Sequence, residues 1–311
     1  MIHHVFACKS NIGDWLSALA IQKLLSPAPV VEHLCDEPYR AATLERLSRL
    51  SPGDTIVIGG GGLLMDYFDP FWKRMPGIAE ATPTMIWGVG LCDHVQAASQ
   101  PDINLLRPVF SAAKLAVVRD ELTMTFLQGL AEGPVACPAM SLFSSDSRNG
   151  HGALHVHHRG VITRHRYETV VATVTRFAAE TGRAYVEINN RIGDGKRQQL
   201  DATVQRYREA DVVVSSRLHG CIIGLAMGKK VVALSGDRKV ESFMKAAGLE
   251  PWIWRDEAPQ SLAELLSEAP RQQDASAFVA QAAVRNEAVA ARVLHLAGER
   301  RVAPPTTSGP A

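Results

Sequence analysis

Arg217, His219 and Lys239 are the side chains of this chain best suited to do chemistry together. An arginine offers a planar fork that fits a carboxylate or a phosphate, and a lysine offers a point charge. A histidine gives or takes a proton near neutral pH. Ser215 and Ser216 stand immediately before Arg217. Either can cap a helix, whose first backbone N–H groups have no internal partner and favour an anion. The set fits a small, highly anionic substrate on which a proton must move. The plain alternative is a helix start with a capping serine, an exposed arginine and a buried histidine.

The surrounding pattern says what must position these groups. Val212–Val214 is an apolar β-branched run, and a small-residue helical stretch follows to Gly228. A second apolar run, Val231–Leu234, leads to a loop carrying Lys239. Strand, helix, strand in this order is a right-handed crossover between parallel strands. Arg217, His219 and Lys239 then lie just past strand carboxyl ends, where open α/β sheets bind ligands. Upstream, strand-like runs recur near His4–Ala7, Val30–Leu34, Thr55–Ile58, Thr84–Trp87 and Leu115–Val118. Further candidates are Ala153–His157 and Ala184–Ile188, and helical runs such as Trp15–Leu25 and Glu121–Leu130 alternate with the strands. This is an α/β chain with two parallel-sheet units. The stretch SSDSRNGHG, residues 144–152, reads as a linker, so the expected division is 1–145 and 146–311. Residues 276–297 read as a long Ala-rich helix that, by analogy, returns to the first unit, and the tail VAPPTTSGPA as disordered.

Composition narrows the function. The 311 residues carry a formal net charge of +1, which gives no global field for nucleic acid, and basic-aromatic repeats for single strands are missing. No run approaches the roughly 18 apolar residues of a membrane span, and MIHHVFACKS lacks a signal peptide's apolar core. The five cysteines are scattered among apolar neighbours without a C-x-x-C pair, which suggests reduced thiols in a cytoplasmic protein. Residues 151–166 hold five histidines and three arginines. On a strand, His155 and His157 share one face, a metal-like spacing without an acid in the tract; a basic rim or a solvated turn reads better.

Other motifs have local readings. Asn11, Gly13 and Asp14 form a turn with a helix N-cap. Gly59, Gly60, Gly61 and Gly62 follow an apolar strand and let a ligand or another backbone come close. Their spacing is not G-x-G-x-x-G, which disfavours a dinucleotide. Gly88 and Gly90 repeat the pattern, and Arg119 with Asp120 is either a surface ion pair or a cation reaching a cleft.

The run SSRLHGCIIGLAMGKKVVALSGDRKVESFMKAAGL, residues 215–249, resembles the C-terminal signature of the polysaccharide pyruvyltransferase family. SNIGDWLSALA at 10–20, DTIVIGGGGLL at 54–64, TMIWGVGL at 84–91 and VVRDE at 117–121 resemble its earlier motifs in order. The resemblance implies two Rossmann-like parallel-sheet domains in a GT-B-like arrangement, with the acceptor on the first and phosphoenolpyruvate on the second. It implies pyruvyl transfer from phosphoenolpyruvate to hydroxyls of a sugar, glycan or lipid-linked sugar, usually as a ketal. His219, Arg217 and Lys239 would be catalytic; Arg119, Ser215, Ser216, Asn11, Gly13, Asp14, Gly60, Gly61 and Gly62 would bind substrates. No cofactor or metal is expected, since the cations can do what magnesium does elsewhere. The enzyme would be cytoplasmic, and peripheral to the inner membrane if the acceptor is lipid-linked.

The chain departs from that pattern in ACPAMSL, residues 136–142, which lacks the acid some members place before the Pro-Ala. Two other readings stand beside it. A glycosyltransferase using a nucleotide sugar needs a carboxylate for the ribose; Glu241 and Glu250 are available but not in the paired spacing of retaining enzymes. A non-catalytic sugar- or anion-binding module would keep the fold without turnover.

Overall fold

The computed structural model describes residues 1–92, 100–143, 150–160, 164–255 and 260–298. Most of the expected linker, the last part of the histidine-rich tract and the C-terminal tail thus lie partly or wholly outside the described residues.

Two five-stranded sheets form the frame. The first has the order β2-β1-β3-β4-β5 and contains β1 (Ile2–Phe6), β2 (Val30–Leu34), β3 (Thr55–Leu64), β4 (Thr84–Leu91) and β5 (Leu115–Val118). Its helices are α1 (Ile12–Leu24), α2 (Arg40–Leu47), α3 (Asp69–Trp72), α4 (Met75–Ala81), α5 (Ile103–Ala112) and α6 (Glu121–Leu127). The second sheet has the order β10-β9-β8-β6-β7, from β6 (Gly152–Val156), β7 (Ala184–Ile188), β8 (Val212–Ser215), β9 (Lys230–Leu234) and β10 (Ile253–Trp254). With it go α7 (Arg164–Glu180), α8 (Arg197–Glu209), α9 (Leu218–Ala226), α10 (Arg238–Ala246), α11 (Leu262–Glu268) and α12 (Ser276–Gly298). Every strand pairing is parallel. Sheets of this kind are covered on both faces, which is why β5 and β8 read as unbroken apolar runs rather than alternating ones. The arrangement is two Rossmann-like units, GT-B-like.

The first sheet differs from the sequence reading at its glycines. β3 and β4 do not stop at Ile58 and Trp87 but run on through Gly62 and Gly90. Gly60 and Gly61 take φ of +80° and +91°, and the pairing with β4 shifts register between Gly61 and Leu64. A Cβ on Gly60 would lie 2.9 Å from the Ser17 Cβ, and one on Gly61 would lie 2.2 Å from Asp14 Oδ1. The glycines therefore let α1 settle directly on the strand. The close approach they permit is that of another segment of the chain.

The long α12 joins the two units. Ala282 packs into the core that includes α9, while Val289, Ala290 and Val293 pack against Ile2, Val57 and Met85 of the first sheet. Asn286 fixes the register: its Oδ1 accepts from Trp87 Nε1 at 3.0 Å and its Nδ2 donates to the Ala136 carbonyl at 2.9 Å. The five cysteines are buried, and none forms a disulfide among the described residues. No helix among the described residues is long and apolar enough to cross a membrane.

His155 and His157 do not form a basic rim. His155 is fully buried in β6, and Glu187 of β7 comes within 3.2 Å of His157 Nε2. Tyr185 donates to the same carboxylate at 3.0 Å, which explains in hydrogen bonds what the spacing suggested in metal terms. Burial, ahead of every other cause, holds His155 and the equally enclosed His4 down at about 4. Both folded values lie below the unfolded one of about 6.5. Their contribution is thus fully present above pH 6.5 and is lost as pH falls toward 4. At pH 5 the unfolded chain takes up protons the folded chain refuses, at a cost of roughly 2 kcal/mol per histidine. The melting midpoint is expected to drop between pH 7 and pH 5, and a level midpoint across that range would contradict this account.

Candidate active site

The β8–α9 turn places two of the predicted residues. Ser215, fully buried, donates its hydroxyl to the Arg217 carbonyl at 2.8 Å and accepts the Arg217 N–H at 3.0 Å. That self-contained turn corrects the expectation of a serine cap: Arg217 is the N-cap residue and has no side-chain cap bond. Ser216 accepts the His158 N–H at 2.7 Å. The Arg217 guanidinium is steered by its Nε, which donates to the His157 carbonyl at 2.9 Å. His219 follows in the first turn of α9.

Lys239 lies in the first turn of α10 rather than in a loop. Asp237 caps that helix, accepting the Lys239 N–H at 3.2 Å and pairing with its Nζ at 2.8 Å. Arg119 ends β5, and its guanidinium lies over Gly90, where a Cβ would sit 2.0 Å from Nη2. Its Nε holds Asp120 at 3.0 Å, in a pair that is buried rather than on the surface. Nη2 is buried with no hydrogen-bond partner among the described residues.

One cleft of about 400 Å³ between the two sheets is lined by Arg119, Arg217, His219 and Lys239 together with Asn11, Asp14, Gly62 and Ser216. Gly13, Gly60, Gly61 and Ser215 stand behind its wall. Gly13 has a specific neighbour: a Cβ there would fall 2.1 Å from His219 Nδ1. Asn11 caps α1 by accepting the Gly13 N–H at 3.1 Å. The segment 10–12 also bonds across the cleft floor, with Ile12 N donating to the Asn190 carbonyl at 3.1 Å and Ile192 N to the Ser10 carbonyl at 2.9 Å.

Charge in the cleft is uneven. Burial works against the cations, yet Asp120 holds Arg119 above its usual range, and Cys92 and Asp237 do so for Lys239. Burial and then Arg191 hold Arg217 down at about 10, still charged at neutral pH. Burial, followed by Arg119, Lys239 and Arg217, pushes His219 well below the ordinary imidazole range. Burial raises the Asp14 carboxyl, against the pull of the Gly62 N–H and three cations. The cleft therefore holds a neutral imidazole and a carboxyl displaced toward its protonated form, facing fixed positive charge. Such a site neutralises an anion with carboxylate and phosphate groups and moves protons on it.

Five contributors were missed by sequence reasoning. Arg191, on the loop after β7, adds a cation at the rim, and Asp36 and Tyr67 line the mouth from the first unit. Ser17 and Cys137 reach His219 from behind: Ser17 Oγ is 3.2 Å and Cys137 Sγ 3.7 Å from Nε2. Cys137 sits just before Pro138 and Ala139, so that segment falls against the imidazole.

With this geometry in hand, comparisons with known proteins are informative. The family model for polysaccharide pyruvyl transferase matches residues 11–238. No functionally curated protein matches the chain. An uncharacterized protein of Klebsiella pneumoniae superposes with a TM-score of 0.52 at 13% identity, over 81% of this chain and 92% of that one. The S. aureus MnaA–UDP co-structure superposes with a TM-score of 0.51 at 11% identity, over 91% of this chain and 90% of that one. At these identities the likeness is one of fold.

Proposed function

Since the chain belongs to the polysaccharide pyruvyl transferase family, we propose that it transfers pyruvyl from phosphoenolpyruvate to a sugar or glycan acceptor, closing a ketal. The observation that carries this reading is the buried Nη2 of Arg119, without a hydrogen-bond partner among the described residues, on a side chain that lines the same cleft as Arg217 and Lys239. A buried charged donor left without an acceptor is costly, so the site fits an anion that supplies one.

The protons balance as follows. Asp14 gives its proton to C3 of the donor, which makes C2 electrophilic. The first acceptor hydroxyl oxygen bonds to C2 while its proton passes to His219. The C2–O bond to phosphate breaks, and phosphate leaves with the proton from His219. A second hydroxyl closes the ketal, and its proton restores Asp14. Arg119, Arg217 and Lys239 offset the donor's charges and stabilise the departing phosphate. These same cations, with burial, suppress protonation of His219, so a seated trianion that offsets their charge raises its basicity. The acceptor then enters past Tyr67 and Asp36, from the side of the first sheet.

A second reading has one specific support, the UDP held by the S. aureus neighbour, which suits a nucleotide-sugar transferase. Here Glu241, the carboxylate nearest to a ribose role in sequence, is already bound by Arg255 at 2.7 Å and by Ser235. A thermal-shift panel separates the two. Phosphoenolpyruvate is expected to raise the midpoint more than uridine or guanosine diphosphate, by mass action on the folded state. The opposite ranking would move the assignment to a glycosyltransferase.

A further inference from the structure

The polar side chain that meets His219 from the opposite unit is Ser17 of α1, which is fully buried. Its hydroxyl has three neighbours: the Gly13 carbonyl at 2.8 Å, Cys137 Sγ at 3.1 Å and His219 Nε2 at 3.2 Å. A hydroxyl has one proton to give and two lone pairs to offer. The carbonyl can only accept, and it makes the shortest contact, so it takes the proton. Both remaining neighbours must then donate. Cys137 can do so as a thiol, because burial raises it above its ordinary value. Nε2 can do so only if it carries the ring proton. Among the described residues Nδ1 makes no hydrogen bond, and His219 lines the cleft.

We propose that Ser17, braced by Cys137, is a positioning residue that holds His219 as the Nε2–H tautomer and turns the Nδ1 lone pair to the cleft. Every polar atom around the Ser17 hydroxyl is then satisfied at once. In the reverse tautomer Nε2 would have to take either the Ser17 proton, at the expense of the Gly13 carbonyl, or the Cys137 thiol proton over 3.7 Å, which would deprive Ser17 Oγ of its closer donor at 3.1 Å. The consequence for chemistry rests on the pyruvyl-transfer reading. Nδ1 receives the acceptor hydroxyl proton as the oxygen's electron pair forms the bond to C2, and the imidazolium passes that proton to the departing phosphate. Nε2 keeps its proton throughout.

Two-bond proton–nitrogen correlation spectra of nitrogen-15-labelled protein distinguish the tautomers directly, and His219→Gln identifies the ring's signals. The wild type is expected to show protonated Nε2 and bare Nδ1 from about pH 5.5 to 8. Cys137→Ala should keep that pattern, since the Gly13 carbonyl still takes the Ser17 proton. Ser17→Ala should give a mixture of tautomers in a chain that still melts cooperatively. A wild-type ring protonated at Nδ1, or a Ser17→Ala ring unchanged from wild type, overturns the proposal. The wild-type spectrum decides the tautomer even if a variant fails to fold. The readout needs no turnover: the tautomer found as expected, with no reaction of phosphoenolpyruvate, would remove the activity and keep the positioning role.

Discussion

Alanine at His219 is expected to lower turnover about 10²-fold or more, the usual scale for a lost general acid or base. The substitution should leave the phosphoenolpyruvate-induced thermal shift largely in place, because Arg119, Arg217 and Lys239 remain to hold the anion. A fall in turnover without loss of donor binding marks a group that acts in the chemical step. His219 lies in the first turn of α9, whose other buried residues pack into a broad apolar core. The variant should therefore fold. A folded variant with near wild-type turnover would end the assignment of His219.

Gly13→Ala should be almost as damaging, although it adds one methyl group at a residue that never enters the cleft. The new Cβ would lie 2.1 Å from His219 Nδ1 and 2.2 Å from Cγ. No real contact is that short, and swinging the ring aside still leaves the His219 Cβ at 2.7 Å, so the ring must move and α1 and α9 must part slightly. Alanine, the better helix former, offsets part of that cost in α1. The expected result is a folded, less stable and nearly inactive protein with turnover down about 10²-fold, the same scale as the loss of His219. If the methyl acts through the imidazole, Gly13→Ala combined with His219→Ala should be hardly worse than His219→Ala alone. Additive losses would mean that Gly13 matters for another reason.

The fold was readable because parallel sheets write themselves as apolar runs at strand spacing with helical runs between. Val212–Val214, Val231–Leu234 and Leu115–Val118 all became strands at or within a residue of those bounds. β10 was missed, since two residues, Ile253 and Trp254, are too few to show a period. The strand ends at the glycines were misread because a positive φ and a register shift are tertiary solutions that leave no periodic trace. In the site, Arg217 and Lys239 were legible as charged groups at strand ends. Ser17 and Cys137 were not, since a serine inside an apolar helix and a cysteine before a proline resemble packing residues until another unit brings an imidazole to them. Arg191 was invisible for the same reason: bonds between segments 10–12 and 190–192, and from Tyr39 to Asp194, carry its loop to the cleft.

The contact of α1 with α9 also limits how such enzymes can be recombined. GT-B-like chains invite construction of chimeras by joining the acceptor half of one parent to the donor half of another. Here the proposed base, His219, belongs to the second half, while Gly13, Ser17 and Cys137 around it belong to the first. A hybrid cut at the junction would inherit the imidazole from one parent and its socket from the other. On the proposed reading, acceptor range is best exchanged through loops at the mouth, such as those carrying Asp36 and Tyr67, with α1 left beside its native partner.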